Sequence, residues 1–294
     1  MKPTVYFSSS LTPETLIRLY EMLGSPSSGK IAAKVHSGEK GNQNFIAPDF
    51  LFPLIDHVGA TVVETNTAYP GARNKTKKHL ALMEEHGWAK RPFEILDGEG
   101  PDLELPVVNG LRLEKNLVGK GIEKYDSLLV LSHFKGHPMG GYGGALKQLS
   151  IGMASSAGKA NIHSAGASSS PVLCWAKKTE QEAFLESMVD AAKTVIEYFS
   201  KKKGIVYLSI MKNMSVDCDC CAKAEDPCMK DIGILASLDP VAIDAACLDL
   251  VEASDDPGKE HFLERVTSRK GYHTIEMAER QGLGSRDYEL VRID

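Results

Sequence analysis

The sequence of 294 residues is long enough to bury one large hydrophobic core or two modest ones, because domains usually hold about 100 to 200 residues. Hydrophobic residues make up 43% of the chain and charged residues 25%, which excludes a disordered or fibrous protein. The formal net charge is -5, from 34 basic and 39 acidic residues with no long run of one sign, so nucleic acid is not an expected partner.

The N-terminal residues and the cysteines indicate the cellular compartment in which the protein is expected. Residues 1–8 hold no long apolar core before a cleavage site, and no segment approaches the roughly 20 apolar residues of a membrane span. Four of the 6 cysteines are clustered between positions 218 and 228, unlike the spread pairs of a secreted disulfide scaffold. We therefore expect a cytoplasmic protein with no membrane partner, and a metal or redox use for the clustered thiols.

Hydrophobic patterns and helix start signals predict strands that alternate with helices along most of the chain. Such alternation predicts an α/β fold with a mostly parallel or mixed sheet flanked by helices. A capping box opens one of these helices at Thr179 to Glu182. The predicted strands are 5–8, 31–36, 60–64, 103–108, 127–131, 205–211 and 232–236, and the predicted helices are 12–23, 48–58, 75–86, 145–153, 179–199, 239–251 and 259–281, before a short terminal strand.

Two segments interrupt this pattern. Residues 133–144 are too rich in glycine for either regular element, and residues 154–170 are small, polar and rich in serine and glycine, which is typical of a loop. The chain is therefore expected to form a single domain over 1–294, with two lobes at most, and any boundary between lobes would lie near 154–178.

The segment 217–228 carries four thiols and several carboxylates. Thiolates are soft ligands suited to zinc or iron-sulfur clusters, and a loop can wrap them around a metal. The spacing is neither the paired C-x-x-C of a zinc ribbon nor the C-x-x-C-x-x-C of a ferredoxin. The candidate metal ligands are Cys218, Cys220, Cys221 and Cys228.

Two alternatives remain open for these cysteines: reduced thiols that pack as small apolar groups, and redox exchange. The segment is too polar for a core, and exposed thiols would invite oxidation, which favours ligation. Cys220 and Cys221 are adjacent and are not both expected to face one small ion. Cys247 lies on one apolar helical face with Ile243 and Leu250 and is expected in the core.

The segment 133–144 follows an apolar strand and precedes a predicted helix, where α/β sheets usually bind ligands. Glycines allow close approach of the backbone to a ligand, and a helix N-terminus favours an anion. The alternative is a tightly packed turn, and no nucleotide-binding glycine motif is present. The candidate residues for chemistry are His133, Lys135, His137 and Lys147, and those for binding are Gly140, Gly141, Gly143 and Gly144.

Two further loops follow predicted strands, at 34–42 and 66–73. Because the carboxyl ends of parallel strands meet at one edge of a sheet, these loops and the segment 133–144 are expected to enclose one cleft. Turns rich in glycine and asparagine are the simpler explanation for each loop taken singly.

Together these segments resemble a known family. The matching stretches are 36–42, 65–73, 133–147, Gly158-Lys159 and 231–244, which occur in the order of the family catalogued as domain of unknown function 362, whose members are commonly labelled iron-sulfur centre proteins. Many relatives carry a ferredoxin-like insert after the position matching His163, whereas this chain has only Cys174 there. The resemblance implies that 218–228 corresponds to a D-C-D-C segment of the relatives, and it implies no reaction.

We therefore expect a metal-binding α/β protein whose cysteines hold an iron-sulfur cluster or a zinc ion, with redox or metal-assisted chemistry in the cleft. The alternative is an enzyme or binding protein for an anionic small molecule held by the glycine-rich loop 136–144, with structural cysteines. A third hypothesis is a scaffold that docks a redox partner protein. The expected partners are thus a small-molecule ligand or a redox partner.

Overall fold

The computed structural model describes residues 2–294. In that range the strands are β1 Thr4–Ser8, β2 Ile31–Lys34, β3 Thr61–Glu64, β4 Phe93–Ile95, β5 Leu103–Pro106, β6 Lys115–Val118, β7 Ser127–His133, β8 Lys135–His137, β9 Gly141–Gly143, β10 Ile205–Met211, β11 Gly233–Ser237 and β12 Glu289–Arg292. The helices are α1 Pro13–Met22, α2 Pro48–Val58, α3 Thr76–Glu85, α4 Ala145–Leu149, α5 Ser156–His163, α6 Gln181–Ser200, α7 Pro240–Glu252, α8 Lys259–Ser268 and α9 Gly271–Arg280.

Eight strands form one sheet in the order β12-β1-β11-β10-β7-β2-β3-β4. Strand β11 runs antiparallel to both of its neighbours, and the other adjacent pairs are parallel. This confirms the predicted α/β fold with a mostly parallel sheet. The pairs β5-β6 and β8-β9 form two separate small hairpin sheets.

Both faces of the sheet are covered, as the apolar sequence of β7 predicts. Leu128 and Val130 face one buried cluster together with side chains of α6 and α7, while Leu129 and Leu131 face a second cluster built from α1 and α2. The strictly alternating pattern follows from the two-residue period of a strand. None of the helices in residues 2–294 is both long and apolar enough to cross a membrane.

The position of β2 determines where a ligand can bind. It lies between β3 and β7: from β2 the chain runs to β3 and β4 on one side, whereas from β7 it runs to β10 on the other side. A crevice opens at such a switch point, beyond the carboxyl ends of the strands. The loops after β2, β3, β7 and β10 all lie at this edge.

The structure corrects the prediction of a loop at 154–170. Residues Ser156–His163 form α5, whose N-terminus is capped by the Ser155 side chain, which accepts a hydrogen bond from the Gly158 amide. A Cβ at Gly158 would lie 2.0 Å from the carbonyl oxygen of Leu117, so this glycine serves close packing against β6 and not a turn.

Four other predictions also need correction. The glycine-rich segment 133–144 forms the short hairpin β8-β9. The helix expected over 259–281 is two helices separated at Lys270, whose φ is 54°. The expected capping box is not formed, because the Thr179 hydroxyl donates to the carbonyl of His163. Strands β4 and β6 were not expected.

Candidate metal centre and anion-binding cavity

A cavity of about 130 Å³ lies where the loops after β2 and β3 meet β8, α4 and α5. The three loops expected to enclose a cleft thus contribute to one cavity. The lining includes one carboxylate, Glu64, and many basic side chains: Lys34, Arg73, Lys147, Lys159, His36, His137 and His163. Cys220 also lines the cavity.

The four cations are only partly neutralised. Lys34 Nζ lies 2.8 Å from Glu64, and Arg73 Nε lies 3.3 Å from Glu39. In residues 2–294 no carboxylate oxygen comes within 4.0 Å of Lys147 or Lys159, although both side chains are at least nine-tenths buried. A buried cation without an opposite charge, as at Lys147, makes the cavity attractive to an anion.

Three sulfur and nitrogen donors meet at one wall of the cavity. One atom each of His137, Cys218 and Cys220 lies within 4.8 Å of the others, a spacing that a single metal ion can bridge. Lys147 Nζ is 3.8 Å from Cys218 Sγ. Burial and the neighbouring Cys220 raise the pKa of the Cys218 thiol, but Lys147 and then His137 oppose them, and the pKa is lowered overall. A thiolate, the form that binds metals, is therefore favoured at Cys218.

The hydrogen bonds of His137 define its tautomer. Its Nδ1 accepts from the amides of Met139, at 3.2 Å, and Gly140, at 2.8 Å, so Nδ1 carries no proton. Burial lowers the pKa of His137 to about 4, and the ring is neutral at pH 7 with its proton on Nε2. Nε2 faces Cys220 Sγ at 3.9 Å. As placed, His137 offers an N–H to the sulfurs, and it must lose that proton to bind a metal.

Asp219, between the two cysteines, turns its carboxylate away from the thiol group. One oxygen lies 2.8 Å from His133 Nδ1 and the other lies 2.9 Å from Lys135 Nζ. Burial acts to raise the pKa of Asp219, but the charges of His133 and Lys135 hold it well below its ordinary value. His133 Nε2 also lies 2.6 Å from the carbonyl oxygen of Lys212, so both ring nitrogens face acceptors.

The four side chains predicted for chemistry therefore divide into two pairs. His137 and Lys147 line the cavity. His133 and Lys135 bind Asp219 and so hold the cysteine-rich segment 217–228, the cysteine loop, in place. They line a separate space of only about 10 Å³. No nitrogen of His133 is free for a ligand in this arrangement.

The four predicted cysteine ligands also divide. Cys221 adjoins the group, since a hydrogen bond with Cys220 lowers the pKa of its thiol. Cys228 Sγ lies 3.3 Å from the carbonyl oxygen of Met214 and does not belong to the group. Cys247 is fully buried, in the core as expected.

The predicted glycines pack closely instead of lining the main cavity. A Cβ at Gly144 would lie 2.3 Å from Asp244 Oδ1, and one at Gly141 would lie 2.9 Å from Gly271 Cα. The amides of Ala145 and Leu146, at the start of α4, donate to the Asp244 carboxylate. That carboxylate occupies the place expected for an anion at the loop 136–144, and Gly140 and Gly143 adjoin His137 and Lys147 respectively.

Four site residues were not assigned a role from the sequence: Lys34, Arg73, Lys159 and Asp219. Lys34 ends an otherwise apolar strand, which is a weak signal for a buried charge. Asp219 alternates with Cys218 and Cys220, and that alternation is the one local pattern that could have indicated opposite-facing side chains.

Comparison with known proteins gives distant structural likenesses. The lactate racemase apoprotein from Thermoanaerobacterium thermosaccharolyticum is 13% identical, with a TM-score of 0.48 over 85% of this chain and 58% of that one. A protein from Thermotoga maritima is 12% identical, with a TM-score of 0.40 over 92% of this chain and 60% of that one. The chain thus spans about three fifths of the length of either structure. No curated protein matches the sequence at a significant level.

One family model does match. The model described as Domain of unknown function (DUF362) aligns with residues 31–249, about three quarters of the chain, from β2 into α7. That range contains the cavity, the three metal-donor residues and the Asp219 contacts. The chain belongs to the DUF362 family.

Proposed function

We propose that this protein binds a divalent metal ion, zinc in the first place, through Cys218 and Cys220, and acts on a small organic anion held in the adjacent cavity. The observation that carries the proposal is the overlap of two sites. His137 and Cys220 belong both to the donor group and to the cavity lining, and Lys147 lies at both.

The number of donors favours a single ion over an iron-sulfur cluster. Clusters are usually held by four cysteine thiolates. Here two thiols and a histidine converge, Cys221 adjoins them, and Cys228 contacts the backbone of Met214 instead. Sites with three protein ligands and an open position are typical of catalytic zinc, and a bound ion would polarise an oxygen atom of the anion.

The residues of this chain then have separate tasks. Lys147 acts to lower the pKa of the Cys218 thiol, and it offers the cavity a positive charge that no carboxylate oxygen in residues 2–294 approaches within 4.0 Å. His133 and Lys135 fix the Asp219 carboxylate, which holds the two flanking thiols beside His137, with Cys220 at the cavity. His137 contributes either a nitrogen ligand, once its Nε2 proton is lost, or a hydrogen bond to a thiolate.

The first test is metal content after anaerobic purification, by elemental analysis and a visible spectrum. We expect one zinc ion per chain, loss of that ion in Cys218→Ser and Cys220→Ser, and retention in the matched variant Cys228→Ser. Iron with acid-labile sulfide would contradict a single-ion site, and metal-free protein that takes up no zinc would contradict any metal site. His137→Gln separates the two roles of the histidine: metal is retained if the ring only donates a hydrogen bond.

The second test concerns the anion. Titration calorimetry with small carboxylates and inorganic phosphate should show binding that weakens at least tenfold in Lys147→Met, because a desolvated charge pair is lost. The exposed Lys178→Met is the matched control and should bind as the natural protein does. Equal binding by both variants would remove the cavity from the proposal.

A further inference from the structure

Lys159 has an unusual set of contacts for a buried lysine. It belongs to α5, lines the cavity and is 7% exposed. Its Nζ donates to Thr65 Oγ1 at 2.5 Å and to the carbonyl oxygen of Ala154 at 2.7 Å. The Thr65 hydroxyl gives its own proton to the carbonyl of Gly152 at 2.9 Å. Both partners of Nζ therefore act as acceptors, and neither is charged.

The surroundings favour the neutral amine. Lys34, in the same cavity, has Glu64 at 2.8 Å, whereas no carboxylate in residues 2–294 lies within 4.0 Å of Lys159. Burial lowers the pKa of Lys159 to about 7, with Lys34 and Arg73 adding to the effect and Asp97 and Glu64 opposing it. About half of the molecules at pH 7 thus carry an uncharged amine there.

A neutral amine with two N–H groups donated keeps its lone pair. Neither hydrogen bond of Nζ uses that pair, because both run from nitrogen to oxygen. A desolvated lysine beside other cations is a known form of activated nucleophile towards carbonyl carbon. Lys159 has both properties.

A second feature of α5 points to a ligand at the same place. His163 follows Lys159 by four residues, so both lie on one face of the helix. The Nδ1 atom of His163 is buried and has no hydrogen-bond partner in residues 2–294. Burial lowers the pKa of His163 to about 3, so the ring is neutral. A ligand oxygen in the cavity would supply the partner that Nδ1 lacks.

The size and lining of the cavity restrict the kinds of ligand that it can hold. A volume of about 130 Å³ suits a molecule of about six non-hydrogen atoms, since a cavity of about 150 Å³ in another protein holds benzene. Lys147 offers a charge for a carboxylate, and Ala68, Met139 and Ile151 offer apolar contact for a short carbon chain.

We infer that Lys159 is a carbonyl-reactive amine and that the cavity takes a small 2-oxo acid, which forms a Schiff base with Nζ. Nζ uses its lone pair to bond the 2-carbon, and the carbonyl oxygen leaves as water with the two amine protons, so that a C=N bond replaces C=O and nothing is oxidised or reduced. This inference rests on the proposed anion cavity.

The experiment traps the Schiff base by reduction. Full-length protein as purified is incubated with pyruvate and sodium cyanoborohydride, and the modified lysines are located by peptide mass mapping. We expect one N-carboxyethyl group at Lys159, with none on that peptide in Lys159→Met or Lys159→Arg, and normal labelling of Lys159 in Lys178→Met. Thermal melts of each variant check folding. Labelling spread evenly over exposed lysines, with no preference for Lys159, would overturn the inference.

Two further measurements separate this inference from the proposed function. Propionate, which has no carbonyl at the 2-carbon, and pyruvate are both titrated and followed by tryptophan fluorescence, to which Trp175 at the cavity contributes. If both acids bind and Lys159 is not labelled, the amine has no such role and the anion cavity stands. If neither binds, the anion cavity and the inference fail together. The preference for Lys159 over exposed lysines should be largest near pH 7 and fall towards pH 10, where ordinary lysines lose their protons.

Discussion

The folded protein holds Lys159 in an environment that disfavours its protonated form. An unfolded lysine holds its proton up to about pH 10.4, whereas burial lowers the pKa of Lys159 to about 7 in the folded protein. Between these values the unfolded chain binds more protons, so the free energy of unfolding rises with pH across this window. This contribution of Lys159 to the free energy of unfolding is fully present above the pKa of the lysine in the unfolded chain. It is lost as the pH falls through about 7, the pKa in the folded protein.

We therefore predict that the free energy of unfolding rises more steeply with pH in the natural protein than in Lys159→Met. From pH 7 to pH 10 the natural protein should gain on the order of a few kcal/mol more stability than Lys159→Met, which has no amine to titrate there. Urea unfolding at both pH values measures the gain, and Lys178→Met, altered at an exposed lysine, serves as the control. Parallel pH dependence in Lys159→Met and the natural protein would mean that Lys159 stays protonated in the fold.

At this scale the sequence indicated the thiols, His137 and Lys147, but not the other three cations of the cavity. Cysteines clustered in a polar segment are rare enough to predict ligation, and two of the four do meet. Lysines and arginines are common on any surface, and only the fold shows that Lys34, Arg73 and Lys159 are buried around one space. Burial of a charge depends on contacts between distant segments, which one sequence does not display.

The hairpin β8-β9 and the cysteine loop support each other. A Cβ at Gly136 would lie 2.2 Å from the backbone oxygen of Val216, and the Gly136 amide donates to the carbonyl of Ser215 at 2.8 Å. The hairpin therefore packs directly on the segment that leads into Cys218. A side chain at this position must push the two backbones apart.

We predict that Gly136→Ala lowers stability by roughly 1–3 kcal/mol, the usual cost of overpacking, and lowers zinc content together with it. Gly143→Ala, on the partner strand, is the matched control: the nearest atoms to its Cβ would be side-chain carbons of Lys135 and Lys147 at 3.5 Å, an ordinary contact distance. Urea unfolding measures the stability of both variants, and elemental analysis measures their zinc content. Full metal content in Gly136→Ala would show that the hairpin does not position the thiols.

The elements missed from the sequence share a physical cause. Strands β8 and β9 have three residues each, too few for a period of two to appear against their glycines. Seven of the eight residues of α5 are small or polar and only Ile162 is a large apolar residue, so the stability of this helix comes from packing on β6 and not from its own pattern. The buried central strands and the helices α1, α2, α3, α6 and α7, whose patterns are local, are predicted at the correct places, whereas the single helix expected over 259–281 is divided at Lys270.

At the scale of the whole molecule, hydrogen bonds between protein groups attach the cysteine loop to the N-terminal half of the chain. Asn42 Nδ2 donates to the carbonyl of Cys221 at 2.8 Å, and Asn44 Nδ2 donates to that of Glu225 at 2.7 Å. Glu39 in turn donates its amide to the carbonyl of Asp219 at 2.8 Å. These bonds join the loop after β2 to the loop after β10.

Metal removal should therefore lower stability without unfolding the chain, unlike the behaviour of zinc fingers. We expect a chelator to lower the Tm of the zinc-loaded protein by about 5 °C, since a bound ligand adds a few kcal/mol, while the far-ultraviolet circular dichroism stays unchanged at 25 °C. Cys218→Ser should melt at the same temperature with and without chelator. Loss of the dichroism signal on chelation would contradict this prediction.

The reversed direction of β11 has a further consequence. Because β10 and β11 are antiparallel neighbours, the residues between them leave and re-enter the sheet at the same edge, and no crossover passes over a face of the sheet. The stretch 212–232 can therefore vary in length and sequence while β10 and β11 keep their register. The proposed thiolate ligands that it carries can then change without a change in the core of the sheet.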